Sequence, residues 1–289
     1  MNQPAPGEEH GTPFSLYAGH YVEYGLLLRQ TPPARVGICA IVRDEASYIE
    51  EWVAFHRCQG VSLFRIYDNG STDGTAELLR RLGIEPVLWG GMDENFDSQQ
   101  RAAYMEGAQM LAGQVDWLAF IDVDEFMFCR SWSLAEALSV ILGNVGAIAV
   151  QQDVFGSGGQ TARLPGPVTT RFTRRAALTH PECRWFKTIA RPELVAGFDS
   201  VHSVTLKSGA YLMADASPLT RTGPHPGEAA RRVEGVIRMH HYMLKSLEEF
   251  CAKQAKWATR NLRARMSDDY FFERDRYANA EECRDLASG

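Results

Sequence analysis

Between residues 36 and 121 four short apolar runs alternate with three stretches of helical spacing. That alternation constrains the fold more than any bulk property does, because strand–helix repeats of this length close into an α/β sheet with right-handed crossovers. The first run, Val36-Gly37-Ile38-Cys39-Ala40-Ile41-Val42, is unbroken, as a central parallel strand buried on both faces requires. Ser47 with Glu50 reads as a capping box. Ile49, Trp52, Val53 and His56 follow at helical spacing, and Gly60 stands where the helix should stop. Residues 63–67 are expected as a second strand, 75–82 as a short helix stopped by Gly83, and 85–89 as a third strand. Residues 99–112 read as a longer helix with Tyr104, Met105, Ala108 and Leu111 on one stripe, and 117–121 as a fourth strand. The expected class is α/β: an open, mostly parallel, twisted sheet flanked by helices.

The later chain is less regular. Ser133 with Glu136 opens a helix to about residue 141, and residues 147–151 read as a strand. Residues 155–227 are rich in Gly, Pro and Arg. From Ser246, capped with Glu249, the chain turns helical again. Leu247, Phe250, Cys251, Gln254, Trp257 and Asn261 share one face, and Lys253, Lys256, Arg260 and Arg263 share another. The basic face is expected to be solvated; the alternative is peripheral contact with anionic lipid or a phosphorylated carrier. The expected boundaries are a loose leader over 1–34 ending at Pro32-Pro33, a main domain over 35–245, and a C-terminal helical extension over 246–289.

A net charge of −6 argues against a nucleic-acid partner held by phosphate contacts. The start lacks the basic and apolar regions of a signal peptide, and no window approaches the roughly 18 apolar residues of a membrane span. Six dispersed cysteines without a CxxC pair fit reduced thiols, and the expected compartment is the cytoplasm.

Chemistry-bearing residues gather at the carboxyl ends of the expected strands, where open α/β sheets bind ligands. The fourth strand runs into Asp122-Val123-Asp124-Glu125-Phe126, and period-2 geometry would put Asp122 and Asp124 on one face. Two such carboxylates suit a hard divalent cation, Mn²⁺ or Mg²⁺, which can clamp a diphosphate. A phosphatase using Asp-x-Asp would want Thr where this chain has Phe126. The segment from Asp68 to Thr75 is not a calcium loop, because Gly70, Thr72 and Asp73 fall where such a loop needs an acid, an acid and a glycine. In His240-His241-Tyr242-Met243-Leu244-Lys245, His241 is the preferred partner for the carboxylates, and Lys245 suits a phosphate. Phe155-Gly156-Ser157-Gly158-Gly159 lacks the Lys-Ser/Thr of a Walker loop and reads either as an acceptor-facing or an ordinary loop. Arg184-Trp185-Phe186-Lys187 mixes cations with aromatics, as sugar stacking would want, or is a plain strand.

Residues 36–45 followed by Tyr67-Asp68-Asn69-Gly70-Ser71-Thr72-Asp73-Gly74-Thr75 resemble the opening of family 2 glycosyltransferases of GT-A fold. With Asp122-Val123-Asp124-Glu125-Phe126, Phe155-Gly156-Ser157-Gly158, His241-Tyr242 and Lys245-Ser246, the set is similar to the branch related to glycosyltransferase family 92, over about residues 36–257. The resemblance implies a GT-A sheet whose nucleotide-binding half is 35–126 and whose acceptor half is 127–245. It also implies transfer of a sugar from a nucleotide-sugar, UDP-linked by preference, to a carbohydrate or other hydroxyl acceptor, with inversion. It implies Arg43, Glu45, Asp68, Asp122 and Lys245 for the nucleotide. Asp122, Asp124 and His241 are implied for Mn²⁺ or Mg²⁺. Gly156, Ser157 and Lys187 are the acceptor-region expectation. No adjacent Glu-Asp pair follows in the place where family 2 enzymes keep their base, so Asp153, Glu182, Asp199 and His202 stand as base candidates. A sugar nucleotidyltransferase and a non-catalytic nucleotide- or sugar-binding module on the same fold are the competing readings. Oligomeric state does not follow from the pattern.

Overall fold

The computed structural model describes residues 32–90, 96–141, 143–221, 223–258 and 267–287. Strands β1 (Val36–Val42), β2 (Val61–Asp68), β3 (Val87–Leu88) and β4 (Trp117–Phe120) alternate with helices α1 (Ile49–Cys58), α2 (Thr75–Arg81) and α3 (Phe96–Leu111). These four strands pair in parallel in the order β3-β2-β1-β4.

Beyond β4 the sheet turns mixed. β8 (Phe186–Ala190) lies antiparallel between β4 and β6 (Val145–Val154). β6 pairs in parallel with β11 (Ala210–Met213) and β12 (Ile237–His241), and β12 pairs antiparallel with β5 (Glu125–Cys129). Five of its eight described pairings are parallel, so the expected mostly parallel sheet holds, with the antiparallel pairings gathered beyond β4. Residues 121–124 are too short a link for a parallel crossover, which needs about a dozen residues. β5 accordingly leaves β4 and closes the far edge.

The burial of β1 explains its unbroken apolar run. Val36, Ile38, Ala40 and Val42 pack toward Trp52 and Val53 of α1 and Leu79 of α2, while Cys39 and Ile41 pack toward Ala103, Tyr104 and Ala108 of α3. Both faces are covered, so alternation would have left polar groups in a core. α3 approaches closely at Gly107, where a Cβ would stand 2.5 Å from the Cys39 sulfur.

Two of the three expected capping boxes form. Ser133 and Glu136 cap α4 (Leu134–Ser139) reciprocally, and, after the single-turn α5 (Val168–Arg171), Ser246 and Glu249 do the same for α6 (Leu247–Ala258). Ser47 and Glu50 do not: α1 starts with Tyr48 as N-cap and no side-chain cap, and Ser47 Oγ instead accepts from Arg163.

The described part of residues 246–289 is tied into the rest. α7 (Asp268–Ala278) is followed by β13 (Glu281–Glu282), which pairs with β7 (Arg174–Arg175). Most of the expected leader, residues 1–31, lies outside the described residues, as do Arg260, Asn261 and Arg263 and the side chain of Trp257. Among the described residues no helix is long and apolar enough to cross a membrane.

Candidate active site

The parallel strands β1, β2 and β4 deliver three loops to one rim. The first two are stitched together. Thr72 N–H donates to Asp44 Oδ1 at 2.6 Å, Ala46 N–H to Asp73 Oδ2 at 2.9 Å, and Glu45 N–H to Thr75 Oγ1 at 2.8 Å. Asp68 is buried and accepts from Ser71 N–H at 2.9 Å, and Asp73 accepts from Thr75 N–H at 3.0 Å, an Asx turn leading into α2. Arg43 lies 3.8 Å from Asp44. Burial raises the pKa of Glu45 against the pull of Lys256, 3.9 Å away.

The acidic turn differs from its expected form. β4 ends at Phe120, and Asp122 and Asp124 occupy a turn rather than one strand face. Glu125 N–H donates to Asp122 O at 3.1 Å, and the Glu125 carboxylate accepts back from Asp122 N–H at 2.9 Å. The two aspartates consequently face different partners. Asp122 Oδ1 accepts from Gln100 at 2.7 Å and Tyr104 at 3.3 Å, and its Oδ2 meets Lys187 Nζ at 2.7 Å. Asp124 Oδ2 meets Lys253 Nζ at 2.7 Å, while its Oδ1 is 3.5 Å from His241 Nε2.

His241 reaches this turn through sheet register. The β12–β5 pairing sets His241 opposite Glu125, and Tyr242 N–H donates to Asp124 O at 2.8 Å. A relay then fixes the imidazole tautomer. Gln152 Nε2 donates to the Glu182 carbonyl at 2.8 Å, which turns its Oε1 toward His241 Nδ1 at 2.7 Å. Nδ1 must carry the proton, so in the neutral ring Nε2 presents a lone pair to Asp124 Oδ1. Two acceptors 3.5 Å apart want a cation between them. A carboxylate with an imidazole is a donor set that fits Mn²⁺ better than Mg²⁺, and a metal-binding histidine is usually oriented by such a partner on its other nitrogen. Asp122 fits a direct ligand less well, because both its oxygens already accept hydrogen bonds.

Charge follows this layout. Burial pushes Asp124 up, but the Lys253 ammonium outweighs it and holds the carboxyl well below its ordinary range. Burial lifts Glu125 to about 7 despite Lys187. Lys187, which is 1% exposed, bridges Asp122 and Glu125; it belongs to the acidic turn rather than to an acceptor loop.

Beside Asp124 opens a cleft of about 380 Å³, lined among others by Glu45, Tyr48, Arg163, Lys245, Lys253 and Lys256. Lys245 has φ +59, a left-handed backbone unusual for a non-glycine residue, and its ammonium lies 4.5 Å from the centre of the Tyr48 ring. The Tyr48 hydroxyl donates to Glu249, which Arg171 grips with two nitrogens.

The four base candidates separate. Asp153 is 1% exposed and held by Arg175, Arg232 and Arg238, a structural knot shut off from an acceptor. Glu182 touches the site only through its backbone carbonyl on Gln152. Asp199 is exposed and accepts from Thr205 in the β9 (Val195–Phe198) to β10 (Val204–Leu206) hairpin. His202 alone of the four interacts with Asp122, Lys187 and His241. Its Nδ1 faces the Phe186 carbonyl at 3.1 Å, and burial, then Lys187, lower its pKa to about 3.

Gly156 and Ser157 do other work than expected. Ser157 is 2% exposed, and its N–H and hydroxyl both donate to Asp275 of α7. A Cβ on Gly156 would stand 2.5 Å from Asn279 Oδ1. The loop clasps the C-terminal helix. Lys253 and Lys256 are likewise not simply a solvated face: α6 turns them onto Asp124 and onto the Asp44 carbonyl. Gln100, Tyr48, Gln152 and Lys253 were not singled out from sequence as site residues; the Ser246–Glu249 cap, which fixes the phase of α6, was the available clue to Lys253.

The chain is 31% identical over 182 residues to a glycosyltransferase family 92 protein of Oryza sativa subsp. japonica, covering 60% of this chain and 30% of that protein. It is 29% identical over 229 residues to one of Arabidopsis thaliana, covering 75% and 36%. The chain thus spans about a third of the length of these relatives. Among solved structures, the mannosyltransferase PcManGT from Pyrobaculum calidifontis in complex with GDP-Man and Mn²⁺ is similar with a TM-score of 0.35 and 19% identity, over 64% of this chain and 57% of that one. That overlap is too slight to carry any residue's role across. The model of glycosyltransferase family 92 matches residues 35–211, more than half of the chain, and the chain belongs to that family.

Proposed function

We propose that the chain transfers a sugar from a nucleotide-sugar, UDP-linked by preference, to a hydroxyl acceptor with inversion at the anomeric carbon. Family membership supports the reaction class. The observation that carries the reading is the Asp124–His241 pair, whose Asp124 lines a cleft shared with Lys245, Lys253 and Lys256. Asp124 and His241 are the residues that would hold Mn²⁺ or Mg²⁺, which when bound supplies Lewis-acid charge to the departing diphosphate.

The chain's own groups carry the rest. The three cleft lysines place positive charge where the diphosphate gains negative charge. Glu45 and Asp68 line the side expected for the nucleoside. Asp122, pinned by Gln100 and Lys187, positions the turn that carries Asp124. His202, with its Nδ1 proton directed at the Phe186 carbonyl, offers Nε2 to the acceptor hydroxyl. An anionic donor would oppose the Lys187 field and raise the basicity of that nitrogen.

The test is a panel of UDP- and GDP-sugars with Mn²⁺, read as nucleoside diphosphate release and as thermal stabilisation. Stabilisation by UDP or GDP that depends on Mn²⁺ is expected, since a ligand of the native state raises its apparent stability. Asp124→Asn should lower release by about 100-fold or more while the fold persists. An Asp124→Asn protein with undiminished turnover would sink the reading.

A further inference from the structure

The proposed function leaves Lys253 unexplained in one respect. A lysine on the polar face of a helix is ordinarily solvated, yet Lys253 is 26% exposed and places Nζ 2.7 Å from Asp124 Oδ2. That oxygen belongs to the carboxylate that faces His241. The ammonium and a divalent cation at Asp124 are therefore rivals for one negative charge.

The surroundings show that the contact is built. The start of α6 is fixed by four independent ties. Ser246 and Glu249 cap it reciprocally. Leu247 N–H donates to Gln160 O at 3.1 Å, Glu248 N–H donates to Thr161 O at 2.9 Å, and Phe250 is fully buried. The helix cannot swing away cheaply, so only the flexible lysine stem can yield. Lys187 contrasts with this: it is 1% exposed and its ammonium is shared by Asp122 and Glu125. Lys253 lines the cleft, in company with Lys245 and Lys256. Phosphate oxygens entering there would give its ammonium a second anionic partner within reach of the same stem.

We propose that Lys253 is a positioning residue that serves as the resident counter-cation of Asp124, so that a divalent cation binds the Asp124–His241 pair only together with a nucleoside diphosphate. Binding is thereby ordered. Without nucleotide the cation must displace a charge-assisted hydrogen bond; with nucleotide the diphosphate takes over the ammonium and Asp124 becomes available. This rests on the proposed donor site, and its test separates the two.

The experiment is a Mn²⁺ titration followed by electron paramagnetic resonance on the whole chain, with and without UDP or GDP. It compares the parent protein with Lys253→Met and Lys253→Arg. The parent is expected to take up Mn²⁺ only in the presence of nucleotide. Lys253→Met should bind Mn²⁺ alone, with a Kd lower by about tenfold or more, the equivalent of one charge-assisted hydrogen bond. Lys253→Arg keeps the charge and should behave as the parent. A purely structural role would make both variants bind worse. If parent and Lys253→Met bind Mn²⁺ equally without nucleotide, yet both bind it with nucleotide, the ordering proposal is overturned and the donor site stands. If no protein binds Mn²⁺ with either nucleotide while circular dichroism stays native, the donor site fails and the proposal with it.

Discussion

Gln152 carries no reactive group, yet the chemistry of His241 depends on it. Its amide is oriented by the Glu182 carbonyl and in turn assigns the proton of His241 to Nδ1. Gln152→Leu should leave the ring free to change tautomer. Loss of such an orienting partner typically lowers metal affinity by roughly 10–100-fold. The expected outcome is a rise of that size in the Mn²⁺ Kd measured with UDP or GDP present, with thermal unfolding little changed; an unaltered Kd would remove Gln152 from the site. Residue roles of this kind were only partly legible in the sequence. Asp122, Asp124 and His241 could be marked out because their side-chain chemistry is visible in the letters. The parts of Gln152 and Lys253 could not. Gln152 acts through a carbonyl 30 residues away, and helical periodicity files Lys253 on a polar face without saying what that face meets. Asp153 shows the converse: its letter suggests a base, but its three arginine partners make it a structural counter-ion.

The first half of the sheet could be read as elements because β1 to β4 are linked by helices and buried on both faces, which writes apolar runs into the sequence. The second half could not, because register there is set by contacts distant in sequence. β8 carries Lys187 in its interior, and β5 begins with the buried Glu125; neither looks like a core strand until the two charges are seen to meet. The docking of α7 is another such case. Gly156 and Ser157 read as an acceptor loop, but they form the socket for Asp275 and Asn279. A Cβ at Gly156 would lie 2.5 Å from Asn279 Oδ1 and 2.8 Å from the Ala278 carbonyl, and the latter is backbone that cannot rotate aside. Gly156→Ala should therefore push α7 off its seat at a cost of about 1–3 kcal/mol, the usual range for overpacking. Urea denaturation should show a lower midpoint with an unchanged slope. A variant as stable as the parent would mean that α7 is not seated as described.

For the molecule as a whole, buried histidines set the response to acid. His56 and His240 are fully buried, and burial lowers each to about 3. In His56, Nδ1 faces the Trp52 carbonyl at 2.8 Å and Nε2 accepts from Met127 N–H at 3.2 Å, so a second proton would set two donors against each other. The unfolded chain takes up protons below about pH 6.5. The folded chain does not until about pH 3, so stability falls as pH drops through that window. At pH 5 each of these two histidines removes about 2 kcal/mol, and His202, also lowered to about 3, removes a similar amount, about 6 in all, against a total of roughly 5–15 for a folded domain. Glu125 has the opposite sign. Its folded pKa of about 7 lies above the ordinary carboxyl value, so it adds stability as pH falls from 7 toward 4.5, offsetting about one histidine. Below that its gain is complete. The carboxylates held low by cations, Asp124, Asp153 and Glu249, then begin to be lost alongside the histidines. Stability measured by urea midpoints should thus decline from pH 7 to 5 and further below, as the low carboxylates are lost too. His56→Gln keeps an acceptor for Met127 N–H but cannot protonate. It should be less stable than the parent at pH 7.5, yet lose about 2 kcal/mol less between pH 7.5 and 5. Parallel pH curves for the two proteins would show that His56 is not part of the acid response.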